Sequence, residues 1–114
     1  LYHRRQRQMC IRDRFLALTS SGPAIIALII EALSDGGLSG GLPKILSEEL
    51  IMEMILGTIS LIKENQLTPS ELKNLVTSPG GTTISALRVL EKKSVRSALI
   101  ESIVSASNRS KEFN

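Results

Sequence analysis

The run Ala24-Ile25-Ile26-Ala27-Leu28-Ile29-Ile30, closed by Glu31-Ala32-Leu33, limits what this chain can fold into more than any other stretch. Wound as a helix, it is apolar on every face, and a helix apolar all round must be buried all round. Ser21 or Gly22 can cap its start, and Pro23 fits a first turn, where its missing N–H is not needed. The spacing predicts a helix from Ala24 to about Ser34, with Phe15–Ser21 as a short lead-in. At that length it falls short of the roughly 20 residues that a bilayer demands. A chain of 114 residues with 42% apolar content makes one domain with a modest core. A single helix in such a domain rarely finds enough neighbours to cover it. Association into a homodimer or higher homo-oligomer is the expected way to finish the burial.

The rest of the chain also reads as helix. Asp35–Gly41 is expected to be a loop behind a glycine-terminated helix end, and its glycines lack the strand–turn–helix setting of a dinucleotide fingerprint. Leu42-Pro43 opens a second helix, in which Leu46, Leu50, Ile51, Met54, Ile55, Ile59 and Ile62 fall on one broad stripe. Gly57 in its middle costs about 1 kcal/mol relative to Ala, which predicts close approach of another backbone there. Thr68-Pro69-Ser70-Glu71 is a capping box with proline at the first helical position, opening a short third helix to Val76. A fourth helix is expected from Thr83 to about Lys92. Ser94 is placed to cap a fifth, with Val95, Ala98, Leu99, Ile103 and Ala106 on one face. No segment alternates as a strand would. The expected fold class is all-α, about five helices interlocking with a second subunit.

Charge divides the chain in two. Residues 1–14 hold five arginines against Asp13, whereas the other 100 residues carry 9 positive and 10 negative charges, out of 14 and 11 overall. The domain proper is not basic, so neither nucleic acid nor a membrane surface is an expected partner. Residues 1–14 read as a disordered or non-native extension; a basic nucleic-acid arm is the functional alternative. The single Cys10, His3 and Tyr2 all lie in that extension. From Phe15 onward there is no thiol or imidazole, which excludes disulfides, Cys/His metal sites and His-activated nucleophiles. No metal is expected. A cytoplasmic location is expected; the extension has no signal-peptide apolar region, and an Arg-rich amphipathic transit segment is the alternative reading of it.

Val76-Thr77-Ser78-Pro79-Gly80-Gly81-Thr82-Thr83 interrupts two helical patterns. Pro79 and the paired glycines forbid a regular helix and permit positive-φ backbone. Thr82 and Thr83 stand before Ile84-Ser85-Ala86-Leu87-Arg88-Val89-Leu90 as N-cap candidates. Glycines that lead into a helix N-terminus leave backbone N–H groups bare, with the positive end of the dipole behind them. With the hydroxyls of Ser78, Thr82 and Thr83 alongside, the stretch reads as a cradle for a small carboxylate or phosphate. A capped turn without a ligand is the other reading.

These segments carry a family resemblance. Ser21-Gly22-Pro23-Ala24, Glu31-Ala32-Leu33, Gly41-Leu42-Pro43, Glu71-Leu72-Lys73, Val76–Ile84, Leu87–Glu91 and Arg109-Ser110-Lys111-Glu112 together resemble the C-terminal domain of pyrroline-5-carboxylate reductase. The likeness runs in order from about Phe15 to Glu112, and Ser-Pro-Gly-Gly-Thr-Thr is its specific part. It implies an enzyme of L-proline biosynthesis that reduces the cyclic imine pyrroline-5-carboxylate with NAD(P)H. The nucleotide is held in a Rossmann half whose fingerprint this sequence lacks. This chain alone is therefore expected to bind no cofactor and to be inactive. The resemblance also implies that Ser78, Gly80, Gly81, Thr82 and Thr83 bind the substrate carboxylate, and that Thr83, the expected catalytic residue, hydrogen-bonds the ring nitrogen. Thr19-Ser20 and Ile25 depart from the family's usual residues without touching the cradle. A stand-alone, non-catalytic helical dimerisation module is the alternative, and a dehydrogenase of another small carboxylate a narrower one.

Overall fold

The structure, a computed structural model, describes residues 10–113, and among these all regular structure is helical. Five helices follow one another: α1 (Cys10–Ser39), α2 (Lys44–Glu64), α3 (Pro69–Val76), α4 (Thr82–Lys92) and α5 (Val95–Phe113). The chain divides into two compact units. One combines the residues up to Ala27 with those from Leu90 onward, and the other is Leu28–Val89.

α1 departs from the expectation at both ends. It is a continuous helix of 30 residues, with a π-helical turn at Ala17–Ser21 leading into Gly22. Pro23 does not start this helix but sits inside it. A proline there removes the bond to the carbonyl four residues back, that of Thr19, and its ring crowds that carbonyl. The wider π turn falls where that strain would be felt, and it lets the helix pass the proline unbroken. Cys10–Arg14, read as part of a disordered extension, is helical, and Asp13 is only 6% exposed. Residues 1–9 lie outside the described residues. At 30 residues α1 is long and apolar enough to cross a membrane by length and composition, so the length argument against that no longer holds.

The other end of α1 runs through Gly36-Gly37 to Ser39 instead of stopping at Ser34. It closes with Gly41 at φ +100°, the Gly41 N–H donating to Leu38 O (2.9 Å) and the Leu42 N–H to Gly37 O (3.1 Å). That is a Schellman ending with glycine in the left-handed position. Gly37 is helical because α2 comes close to it: a Cβ at this position would overlap Ser47 Oγ and come within 3.3 Å of Leu42 Cδ1. The Ser47 hydroxyl donates to Ser34 O across 2.8 Å, and both serines are buried. Ser34 Oγ itself, also buried, has no hydrogen-bond partner.

In the other unit α5 packs on the π turn of α1, burying Ala17 and Ser107. The buried residues in both units are small: Ala17, Ser34, Ser47 and Ser107, with Asp13 the largest. Large apolar side chains stay in the open, among them Ile26, Leu28, Leu50, Met54, Leu56 and Ile59. Among the described residues the fully buried side chains are thus short, and the bulky apolar ones are half-buried or exposed.

α2 ends in a second Schellman motif, with Gln66 at φ +52°, the Gln66 N–H on Lys63 O (3.4 Å) and the Leu67 N–H on Ile62 O (3.0 Å). Ser94, expected to cap α5 in an extended conformation, instead adopts φ +61°. Its N–H donates to Glu91 O at 3.1 Å, so it closes α4 while its carbonyl accepts the first bond of α5 from Ala98 N–H at 3.0 Å. Two helices separated by Lys93-Ser94 leave no room for a separate extended cap.

Candidate functional site

α3 is fixed by its own sequence. Thr68 Oγ1 accepts the Glu71 N–H and Glu71 Oε1 accepts the Thr68 N–H, each at 3.1 Å, which completes the expected capping box. Hydrogen bonding from the Thr68 backbone N–H first, and from the Thr68 side chain second, holds the Glu71 carboxyl below its ordinary value of 4.5. At the far end the Thr77 hydroxyl donates to Lys73 O (2.6 Å) and its N–H to Asn74 O (3.4 Å). Thr77 thereby anchors the chain as it leaves α3. Its Thr-after-helix position was the only signal for that role.

The loop then turns once. The Gly81 N–H donates to Ser78 O at 3.2 Å, closing a four-residue turn with Pro79 second and Gly80, at φ +68°, third. This is a type II turn, for which proline and glycine in that order are the favoured residues. A Cβ at Gly81 would stand 2.5 Å from Ser78 Oγ, the end of an exposed side chain that can rotate away. The Gly81 carbonyl accepts the Ser85 N–H (3.4 Å), so Gly81 is the N-cap of α4, and Thr82 and Thr83 are its first two helical residues. The expected threonine cap is thus replaced by glycine, because the turn has already brought the helix direction forward by one residue.

Two consequences follow for an anion. The Gly81 N–H is spent within the turn, so the donors left bare at the helix start are the backbone N–H groups of Thr82, Thr83 and Ile84. Beside them, the hydroxyls of Ser78, Thr82 and Thr83 make no hydrogen bond among the described residues. Ser78, Gly80 and Thr82 are exposed, whereas Gly81 and Thr83 are half-buried. The five predicted residues, neighbours in sequence, lie in the six-residue segment Ser78–Thr83, with three hydroxyls and a helix N-terminus open to a small negative group.

Compared with known families, residues 11–113 match pyrroline-5-carboxylate reductase dimerisation. The chain belongs to that family. A dimerisation family implies association into a homo-oligomer, the same direction in which the apolar first helix points. Among curated relatives, the pyrroline-5-carboxylate reductase of Synechocystis sp. is 48% identical over 103 residues, covering 90% of this chain and 39% of the relative. That of Escherichia coli K12 is 34% identical over 99 residues, covering 87% of this chain and 37% of its own length. The chain thus spans less than half of the relatives it matches. The crystal structure of a Plasmodium falciparum pyrroline carboxylate reductase with NADP bound superposes with a TM-score of 0.87 at 33% identity, covering 90% of this chain and 39% of that one. A pyrroline-5-carboxylate reductase from Coxiella burnetii gives 0.83 at 40% identity, over 88% and 37%.

Proposed function

We propose that this chain is the dimerisation part of an NAD(P)H-dependent reductase that converts 1-pyrroline-5-carboxylate to L-proline, and that Ser78–Thr83 is its substrate-carboxylate loop. Family membership across residues 11–113 is the observation that carries the reading. The loop supports it with bare N–H groups at the start of α4 and three hydroxyls without intramolecular partners. A carboxylate seated there is favoured by charge-assisted bonds and by the helix dipole. Thr83, half-buried on the first turn, is suited to orient the imine nitrogen, while Ser78 and Thr82 hold the carboxylate. NAD(P)H, bound by the nucleotide domain of the whole enzyme, supplies the hydride. The dinucleotide is not assigned to any residue of this chain.

Steady-state kinetics of the enzyme carrying its nucleotide domain test the assignment. Thr83→Ala should lower kcat by about 10- to 100-fold, the worth of one charge-assisted hydrogen bond of about 1.5–3 kcal/mol, with KM little changed. Thr82→Ala should cost less turnover. If Thr83→Ala keeps full activity, or Thr82→Ala proves the more damaging, the role given to Thr83 is wrong.

A further inference from the structure

α3 and the turn behind it are built from within. Among the described residues, every hydrogen bond made by residues 68–85 joins positions no more than four apart. The capping box locks the start of α3, and the Gly81 N–H on Ser78 O closes the turn that opens α4. One extended residue, Thr77, joins the helix to the turn. Its two bonds both run back to α3: the hydroxyl to Lys73 O at 2.6 Å and the N–H to Asn74 O at 3.4 Å. Both carbonyls belong to the last turn of the helix, where they have no helical partner. The hydroxyl bond is short for its kind and the N–H bond is long, so the hydroxyl is the firmer of the two anchors.

That anchor matters because the cradle has two sides. Ser78 follows Thr77 directly and stands on the α3 side of the turn. Thr82, Thr83 and the bare amides stand on the other side, in the first turn of α4. An anion gripped by the Ser78 hydroxyl and the α4 amides together needs the two sides held in register. We propose that Thr77 is a positioning residue of this loop: its hydroxyl, seated on Lys73 O, sets where Ser78 stands relative to the α4 amides. It acts through Ser78 and not on the substrate. The inference rests on Ser78–Thr83 being the carboxylate loop, and it adds a residue that lies outside that loop. A cradle fixed in this way before the anion arrives has less to order on binding, so the hydroxyl contributes to affinity. Thr83 takes its place from α4 itself, so turnover depends far less on Thr77.

Thr77→Val tests this, because it keeps the β-branched shape that suits an extended residue and removes only the hydroxyl. Lys73 is exposed, so water can take up the freed carbonyl and the variant should fold. In the whole chain, NMR should show the Gly81 amide exchanging severalfold faster in Thr77→Val and normally in Thr77→Ser, which keeps the hydroxyl. In the enzyme carrying its nucleotide domain, Thr77→Val should raise KM for pyrroline-5-carboxylate about tenfold and change kcat less than about threefold. That split is the reverse of the one expected for Thr83→Ala, and Thr77→Ser should restore KM. Thr68→Ala, which loosens α3 from its other end, is the control and should leave KM within about twofold. If Thr68→Ala raises KM as much as Thr77→Val, Thr77 merely holds α3 together and the proposal is overturned. An unmoved Gly81 amide in Thr77→Val overturns it too, as does an unmoved KM there when Ser78→Ala raises KM. Ser78→Ala also separates this role from the reading beneath it. If Ser78→Ala leaves KM unchanged, the carboxylate loop itself is misplaced, and the role of Thr77 falls with it.

Discussion

Adding one methyl group at Gly37 should destabilise this fold, although by helix propensity alone it should stabilise it. Ala in place of Gly in a helix interior gains about 1 kcal/mol. Against that, the new Cβ overlaps Ser47 Oγ, which is 1% exposed and bonded to Ser34 O at 2.8 Å. If the serine rotates away, it gives up a bond worth about 0.5–1.5 kcal/mol and leaves a buried hydroxyl unsatisfied at about 1–3 kcal/mol. If the helices part instead, overpacking costs about 1–3 kcal/mol. The net loss should be about 1–2 kcal/mol, or several degrees in Tm for a chain of this size. Gly36, with nothing within 4 Å of its Cβ position, is the internal control, and Gly36→Ala should be neutral or stabilising. Adding Ser47→Ala to Gly37→Ala removes the colliding oxygen, so the double variant should be more stable than the sum of the two losses. Urea unfolding of the unaltered chain, the three single variants and the double variant at one fixed concentration measures this, because association enters the apparent stability. Gly37→Ala as stable as Gly36→Ala, or strict additivity with Ser47→Ala, would refute the close α1–α2 crossing.

Ser34→Ala removes a buried hydroxyl that has no partner and keeps the carbonyl that Ser47 uses, so it should raise stability by about 1 kcal/mol or more in the same assay. Gln66→Gly should also stabilise, by up to about 1 kcal/mol, because Gln66 is held at φ +52° where a side chain is penalised; thermal unfolding reads it. Glu71 has its pKa lowered in the folded state, so its contribution is complete above the unfolded value of 4.5 and disappears as pH falls through the lower folded one. Melting curves of the chain and of Glu71→Gln should therefore differ at neutral pH and converge in acid.

Features set by neighbouring residues were legible before any coordinates. The Thr68–Glu71 box, the α3 span and the turn around Pro79-Gly80 each depend on residues within four positions, and each formed as its residue types dictate. Features set at a distance were not. Gly36-Gly37 looks like a loop until Ser47, ten residues beyond Gly37, is known to lie against it. Pro23 looks like a helix start because a π turn has no residue signature of its own. At the candidate site the turn and the helix start were legible from Pro79-Gly80-Gly81, but which amides stay bare depends on the turn closing on the Gly81 N–H, a bond that composition does not reveal. Gly57 carries the opposite lesson: its oddity in mid-helix is visible in the sequence, and no side chain or other segment among the described residues lies within 4 Å of where its Cβ would be.

That the fully buried side chains among the described residues are all small has a genetic consequence. If the bulky apolar residues find cover only across the interface, each copy supplies part of its partner's core, and folding and assembly are one event. A damaged chain that still pairs then spoils the sound chain it pairs with. Core lesions in α1 or α2 should accordingly behave as dominant when expressed beside the intact protein, whereas lesions that abolish pairing should be recessive. Severity and dominance would run in opposite directions.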